Sequence, residues 1–120
     1  MTITTVSSLI GCAPGLVVSM FAEGAATAVV LRGEVDFATV PTVGDVLDQV
    51  IVDHAGPIVV DLADTGFIDS ASVRALAKAS LELEHRGRSL SIRGPSKMAT
   101  QILELFGLSH LILAAGGDHQ

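Results

Sequence analysis

The sequence predicts an α/β fold in which a mixed sheet of four to five strands packs against three to four helices. Segments of strand character alternate with segments whose apolar residues recur every three to four positions, as on one face of a helix. The resulting order is β-β-α-β-α-β-α. This order predicts helices packed against a mixed sheet.

Length and composition indicate one globular domain. The 120 residues are predicted to form a single domain with its core at about residues 16–114. Hydrophobic residues make up 49% of the chain, yet the aromatic ones are four phenylalanines, so the core must be aliphatic. The net charge of −6 disfavours nucleic acid as a partner, because phosphate neutralisation needs clustered Lys and Arg.

The same properties predict a cytoplasmic protein without membrane insertion. No apolar run approaches the roughly 18 residues of a membrane helix. The first residues lack the basic region of a signal peptide. Cys12 is the sole cysteine, which excludes an internal disulfide and fits a reducing compartment.

The first half of the chain is predicted to form a hairpin followed by a helix. Residues 1–14 show no clear period and are expected to be a flexible segment that ends in a turn. Residues 16–21 and 26–33 have strand character, with a turn between them. An amphipathic helix with Pro41 in its first turn is marked by Val40, Val43, Val46, Leu47, Val50 and Ile51.

The second half alternates strands and helices. Its predicted elements are a buried strand over 57–62, a loop over 63–68, a helix over 73–84, a strand over 89–93, a helix over 96–106, a short strand or helical turn over 111–113, and a polar tail over 115–120. Arg86, Arg88 and Arg93 are expected near the end of the second helix and its following turn, where positive charge complements the helix dipole.

The segment Asp69-Ser70-Ala71-Ser72 is the most informative part of the chain. It places a serine hydroxyl beside a carboxylate at the start of a helix, where backbone N–H groups lack partners and tolerate a phosphate. Ser70 is therefore a candidate for regulatory phosphorylation. The alternative is a plain helix cap, since Ser and Asp are the commonest N-caps. A reciprocal capping box from Ser70 is not expected, because Val73 stands three residues later.

Two ordered motifs resemble those of STAS domains, and more narrowly of anti-sigma factor antagonists. The first is Gly33-Glu34-Val35-Asp36, followed by Thr39-Val40-Pro41. The second is Asp61-Leu62, then Phe67-Ile68-Asp69-Ser70. The resemblance runs from about Leu16 to Ala114 and implies the STAS fold.

The resemblance implies a binding protein rather than an enzyme. In the family, the unphosphorylated domain binds an anti-sigma factor and so frees a sigma factor. That anti-sigma factor is a serine kinase, and it phosphorylates the serine that matches Ser70. The phosphorylated domain then dissociates from the anti-sigma factor. Mg-ATP would belong to the kinase, and no cofactor or metal is expected in this chain.

Three residues depart from the family pattern, and one of them is expected to matter. Ala71 and Val73 are mild changes, whereas Ser72 replaces a glycine. A side chain at that position is expected to affect docking, because glycine lets another backbone approach closely. Ser72 is also a second hydroxyl and thus an alternative phosphorylation site.

The expected partner-binding surface is a rim formed by Asp36, Phe37, Asp69, Ser70, Ala71, Ser72 and Arg74. Asp36, Asp64 and Asp69 are expected to gather near Ser70 and tune the switch, with helix capping as the alternative for Asp36. Phe37 either anchors a partner or folds back onto the core.

Two other functional classes stay open. One is a constitutive STAS adaptor, such as an accessory subunit of a transporter, in which Ser70 only caps a helix. The other is a small enzyme with Ser70 as nucleophile, but no base for it is recognisable. The four histidines lack metal-ligand spacing with Cys or a carboxylate, and no glycine motif for a nucleotide phosphate is present.

Overall fold

The computed structural model of the protein describes residues 8–113, and within them six strands form one mixed sheet. The elements are β1 (Ser8–Ala13), β2 (Leu16–Glu23), β3 (Ala26–Val35), α1 (Val40–Asp53), β4 (Ile58–Asp61), β5 (Thr65–Ile68), α2 (Ser70–His85), β6 (Leu90–Arg93), α3 (Lys97–Leu105) and a 3-10 helix (Ser109–Leu111). The α/β class and the mixed sheet are as predicted. The predicted strand number of four to five is corrected to six.

Strand β3 lies at the centre of the sheet and pairs with three other strands. It pairs antiparallel with β2 on one edge. On its other edge it pairs parallel with β4 through residues 27–30 and with β5 through residues 33–35. Since β4 and β5 share one edge of β3, the second motif of the sequence ends beside the first.

The loop predicted over 63–68 is wrong for residues 65–68, which form strand β5. The chain turns after β4, where the Asp61 carboxylate accepts the N–H of Ala63 at 2.9 Å. The Thr65 hydroxyl then donates to the carbonyl oxygen of Leu31 at 2.7 Å and fixes the register of β5 on β3. A four-residue strand with two exposed members, Gly66 and Phe67, carries little periodic signal.

The three helices contribute to one buried aliphatic core. Helix α1 buries Val43, Val46, Leu47, Val50 and Ile51, which are five of the six predicted positions. Helix α2 buries Val73, Leu76, Ala79 and Leu83, and α3 buries Ala99 and Leu103. Alternate strand residues complete the core, among them Val29, Leu31, Ile58, Val60, Leu90 and Ile92.

The expected flexible segment before residue 15 is contradicted over residues 8–13, which form β1. This strand pairs antiparallel with β2 across a turn at Gly15, where φ is +85°. Cys12 therefore lies exposed in a strand. Strand β1 is irregular, with a register shift between Leu9 and Gly11, and this interrupts the alternation that would have predicted it. Residues 1–7 lie outside the described range.

The end of the described chain contains both alternatives predicted for 111–113. The 3-10 helix ends at Leu111, and Ile112 then forms a single parallel bridge with Ile92 of β6. The predicted tail over 115–120 lies outside the described residues. Within 8–113, no helix has both the length and the apolar character needed to cross a bilayer.

Candidate partner-binding site

The candidate site lies at the sheet edge where β3 and β5 both end. Val35 and Ile68 are register partners in a parallel pair, so the residues that follow them, Asp36 and Asp69, leave the sheet side by side. Helices α1 and α2 begin just beyond these residues. The fold thus brings the two sequence motifs together at one rim.

Asp36 closes the turn that leads into α1. Its carboxylate accepts the backbone N–H groups of Ala38 at 2.9 Å and Thr39 at 3.1 Å. The Thr39 hydroxyl accepts the Asp36 N–H at 2.9 Å and donates to the carbonyl oxygen of Glu34 at 2.9 Å. Thr39 occupies the N-cap position of α1, so Asp36 stabilises the turn before the helix rather than capping it.

Phe37 projects from this turn into solvent. Its side chain is 82% exposed, although phenylalanine is normally a core residue. The alternative in which Phe37 folds back onto the core is therefore wrong. An exposed aromatic ring on a turn fixed by the bonds of Asp36 and Thr39 is a suitable anchor for a protein partner.

Asp69, not Ser70, is the N-cap of α2. Its carboxylate accepts the N–H of Ser72 at 3.0 Å, and the Ser72 hydroxyl accepts the Asp69 N–H at 3.5 Å. Asp69 and Ser72 therefore form a reciprocal capping box. It begins one residue before Ser70, from which no such box was expected because Val73 stands three residues later. The interpretation of Ser70 as a helix cap is thereby corrected, because its side chain makes no capping bond.

The Asp69 carboxyl has a pKa below its ordinary value. Burial, the largest influence, raises that pKa, but hydrogen bonds, chiefly from the Ser72 N–H and the Ser72 hydroxyl, outweigh it. Asp69 is thus held in its charged form between the two halves of the rim.

Ser72 lies beneath the rim and does not project from it. Its side chain is 1% exposed. The hydroxyl lies 2.6 Å from the carbonyl oxygen of Val35 and 2.8 Å from the Asp69 carboxylate. The replacement of the family glycine by Ser72 therefore adds an internal bond to β3, and the side chain is not placed in the path of a docking partner.

Ser70 is the first residue of α2 and is exposed. Since Asp69 and Ser72 bond to each other, the Ser70 hydroxyl takes no part in capping α2. Arg74 is also exposed and stands one turn further along α2, while Ala71 is half-buried between them. Of the residues predicted for the rim, Asp36, Phe37, Asp69, Ser70, Ala71 and Arg74 meet there, and Ser72 supports them from below.

A groove between α1 and α2 continues from the rim and was not predicted. It has a volume of about 310 Å³. Helix α1 lines it with Val40, Gly44 and Leu47, and α2 lines it with Ala71, Arg74 and Lys78. The signal for it in the sequence is weak, because small residues at helical spacing also occur wherever two helices pack closely.

Two other acidic residues, Asp64 and Asp61, form ion pairs with arginines instead of contributing to the rim. Asp64, expected at the rim, pairs with Arg32 of β3 at 3.2 Å. Asp61 pairs with Arg93 at 3.2 Å, and Arg93 also holds Glu23 at 2.8 Å. Within residues 8–113, no three His, Cys, Asp or Glu side chains gather in a way that would hold a metal ion.

Comparison by sequence shows the family of the chain. The sequence model of the family described as "Mlab, STAS domain" matches residues 19–114, which is most of the chain. The protein belongs to the STAS domain family. No curated protein matches this STAS domain by sequence.

Solved structures show the same fold at low sequence identity. An anti-sigma factor antagonist from Mycobacterium paratuberculosis superposes with a TM-score of 0.75 at 18% identity, covering 86% of this chain and 87% of that one. The anti-sigma factor antagonist SpoIIAA in its unphosphorylated form gives 0.71 at 18% identity over 82% and 87%. A sulfate transporter family protein from Wolinella succinogenes gives 0.63 at 21% identity over 76% and 78%.

Proposed function

We propose that this STAS domain is an anti-sigma factor antagonist that is switched off by phosphorylation of Ser70. Unphosphorylated, it binds an anti-sigma factor of the serine-kinase type and so releases a sigma factor. The observation that carries the proposal is the contrast between two hydroxyls, since Ser70 is exposed on the rim while Ser72 is buried and bonded to β3. The proposal includes the cytoplasmic location predicted from the sequence.

The partner surface is the rim with Phe37 at its margin. A standard interface buries roughly 800 Å² on each partner, and exposed aromatic residues often supply much of the binding energy. Val35 and Ile68 pair at the ends of β3 and β5, which places the turn of Phe37 beside the start of α2. A partner that covers α2 from Asp69 to Arg74 also covers Ser70, which lies between them in sequence.

Phosphorylation of Ser70 needs nothing from this chain except the exposed hydroxyl. The Ser70 oxygen attacks the γ-phosphorus of ATP, the bond from that phosphorus to the bridging oxygen breaks, ADP leaves, and the hydroxyl proton passes to a base of the kinase. The partner supplies Mg-ATP and the base. The product carries about −1.5 to −2 charges at the centre of the interface.

The added charge releases the partner without refolding. Asp36 and Asp69 already place two carboxylates near Ser70, so the phosphate adds to the negative charge of the rim. Like charges brought together at an interface cost several kcal/mol. Because about 1.4 kcal/mol is a factor of ten, the affinity falls about a hundredfold or more.

A constitutive STAS adaptor is the second candidate. The likeness to a sulfate transporter family protein favours it. In this case Ser70→Glu and the unmodified protein bind the same partner equally well. In the switch, Ser70→Ala keeps the partner and Ser70→Glu loses it.

The experiment that tests the proposal combines recovery of a partner with mapping of phosphate. Unmodified and Ser70→Glu proteins are used as bait in cytosol from the native cells, and the recovered complex is then supplied with Mg-ATP. We expect a partner with kinase activity that binds only the unmodified bait and adds one phosphate, which intact-mass analysis finds in the Ser72→Ala variant but not in Ser70→Ala. Equal recovery by both baits without phosphate would identify an adaptor.

A further inference from the structure

We propose that Arg74 holds the phosphate of phosphorylated Ser70, so that the modification also removes a cation from the partner surface. This inference rests on the proposed function, because it assumes that Ser70 is the modified residue. It concerns the fate of the phosphate after transfer. It is carried by the placement of Arg74 relative to Ser70 on α2.

Ser70 and Arg74 are neighbours on the surface of one helix. Residues four apart in a helix have their Cβ atoms roughly 5–6 Å apart. Helical side chains lean toward the N-terminus, so the guanidinium of Arg74 reaches back over the turn that contains Ser70. Both residues are exposed.

Arg74 is available for this task. The ion pairs formed within residues 8–113 involve Arg32, Arg86 and Arg93, and Arg74 takes part in none of them. The first turn of α2 has no acidic residue of its own, so no carboxylate there competes for the guanidinium. A guanidinium can bind a phosphate through two parallel hydrogen bonds, which makes arginine the favoured partner for phosphoserine.

The charges around Ser70 favour binding of its phosphate by such a cation. Asp69 precedes Ser70, Asp36 stands beside Asp69, and Asp48 lines the facing wall of the groove. These three carboxylates repel a phosphate, whereas Arg74 and the more distant Lys78 attract it. Arg74 lines the mouth of the groove between α1 and α2, so a phosphate that binds Arg74 also changes the charge presented there.

The test uses the full chain with phosphoserine introduced genetically at position 70, so no kinase or partner is needed. The second pKa of the phosphate, ordinarily about 6, is followed by phosphorus NMR as a function of pH. A nearby cation favours the dianion and lowers this pKa. Replacing Arg74 with Gln should therefore raise it by about 0.5 at low salt, and the difference should shrink in 1 M NaCl.

Two further variants separate binding by Arg74 from a general effect of charge. Arg74→Lys should recover part of the lowered pKa, because it keeps the charge but loses the paired hydrogen bonds. Lys78→Gln removes the same charge eight residues from Ser70, roughly 12 Å along the helix axis, and should change the pKa much less than Arg74→Gln.

The proposal is overturned if Arg74→Gln leaves the second pKa unchanged, or if Lys78→Gln raises it equally. Either result would leave the switch at Ser70 intact, since that depends on whether a kinase modifies Ser70. Conversely, if no kinase modifies Ser70 in cells, the genetically introduced phosphoserine would still have a higher second pKa in the Arg74→Gln variant than with Arg74 present.

Discussion

The Ser72 hydroxyl donates a hydrogen bond to the carbonyl oxygen of Val35 at 2.6 Å, which joins the first turn of α2 to the end of β3. This bond explains how a STAS domain accommodates serine at the glycine position of its motif. It also divides the two serines between different roles. Ser72 supports the rim from within, and Ser70 is free to be modified.

Stability measurements on these serines should separate those roles. Ser72→Ala removes the bond to Val35 and half of the capping box and should cost about 1–2 kcal/mol of unfolding free energy. Ser70→Ala should change the unfolding free energy by less than about 0.5 kcal/mol, because the exposed Ser70 side chain makes no capping bond that the substitution could remove. Urea denaturation measures both. Equal destabilisation by the two variants would return Ser70 to the role of a helix cap.

Acid should weaken the fold partly through Asp69. Its carboxyl pKa is lower in the folded state than in the unfolded chain, because hydrogen bonds, chiefly from Ser72, outweigh the effect of burial. The resulting stabilisation is fully present above the unfolded pKa and is lost as the pH falls through the folded one. Denaturation between about pH 5 and 2 should show a steeper loss for the natural chain than for Asp69→Asn. Parallel profiles would contradict this account.

Arg88 should be the most sensitive basic residue in the chain. Its guanidinium donates to the carbonyl oxygens of Ile51 at 2.8 Å, His54 at 2.6 Å and Gly56 at 2.8 Å, around the end of α1. Arg88→Ala should cost about 2–3 kcal/mol, since these carbonyls lose a charged donor.

Arg86→Ala is the matched control for this prediction. It removes an exposed pair with Glu82 and should cost about 0.5 kcal/mol or less. Thermal or urea unfolding distinguishes the two variants. A loss of the same size in both would show that the Arg88 contacts contribute no more than a surface ion pair.

Two glycines should respond to alanine in opposite directions. Gly33, in the first motif, has φ +121°, and a Cβ there would lie 2.0 Å from the carbonyl oxygen of Gly15. Gly33→Ala should therefore cost about 2–4 kcal/mol. Gly44 in α1 has nothing within 4 Å of a Cβ, and Gly44→Ala should gain about 0.5–1 kcal/mol. Denaturant midpoints of both variants check the signs.

Long elements with a clear hydrophobic period were predictable from the sequence. The faces of α1 and α2, and strands β2, β3, β4 and β6, follow from residues whose burial depends on local spacing. Strands β1 and β5 were missed because they depend on tertiary pairing. Strand β1 contains a register shift, and β5 is fixed by the distant bond from Thr65 to Leu31.

The candidate site was predictable in its members but not in their roles. The motifs named Asp36, Phe37, Asp69 and Ser70, and the parallel pairing of β3 with β5 brings them together. The sequence left open which residue caps α2, because Asp69 and Ser70 are equally good caps. It also assigned Arg88 to the end of α2, whereas its side chain binds the end of α1.

The central claim is that the state of Ser70 controls partner binding. The most direct measurement is a titration of the purified kinase-type partner against the unmodified protein and against the same protein carrying one phosphate on Ser70. We expect the phosphoprotein to bind about a hundredfold more weakly or worse, with an unchanged fold. Equal affinities would contradict the switch and leave this STAS domain as a constitutive adaptor.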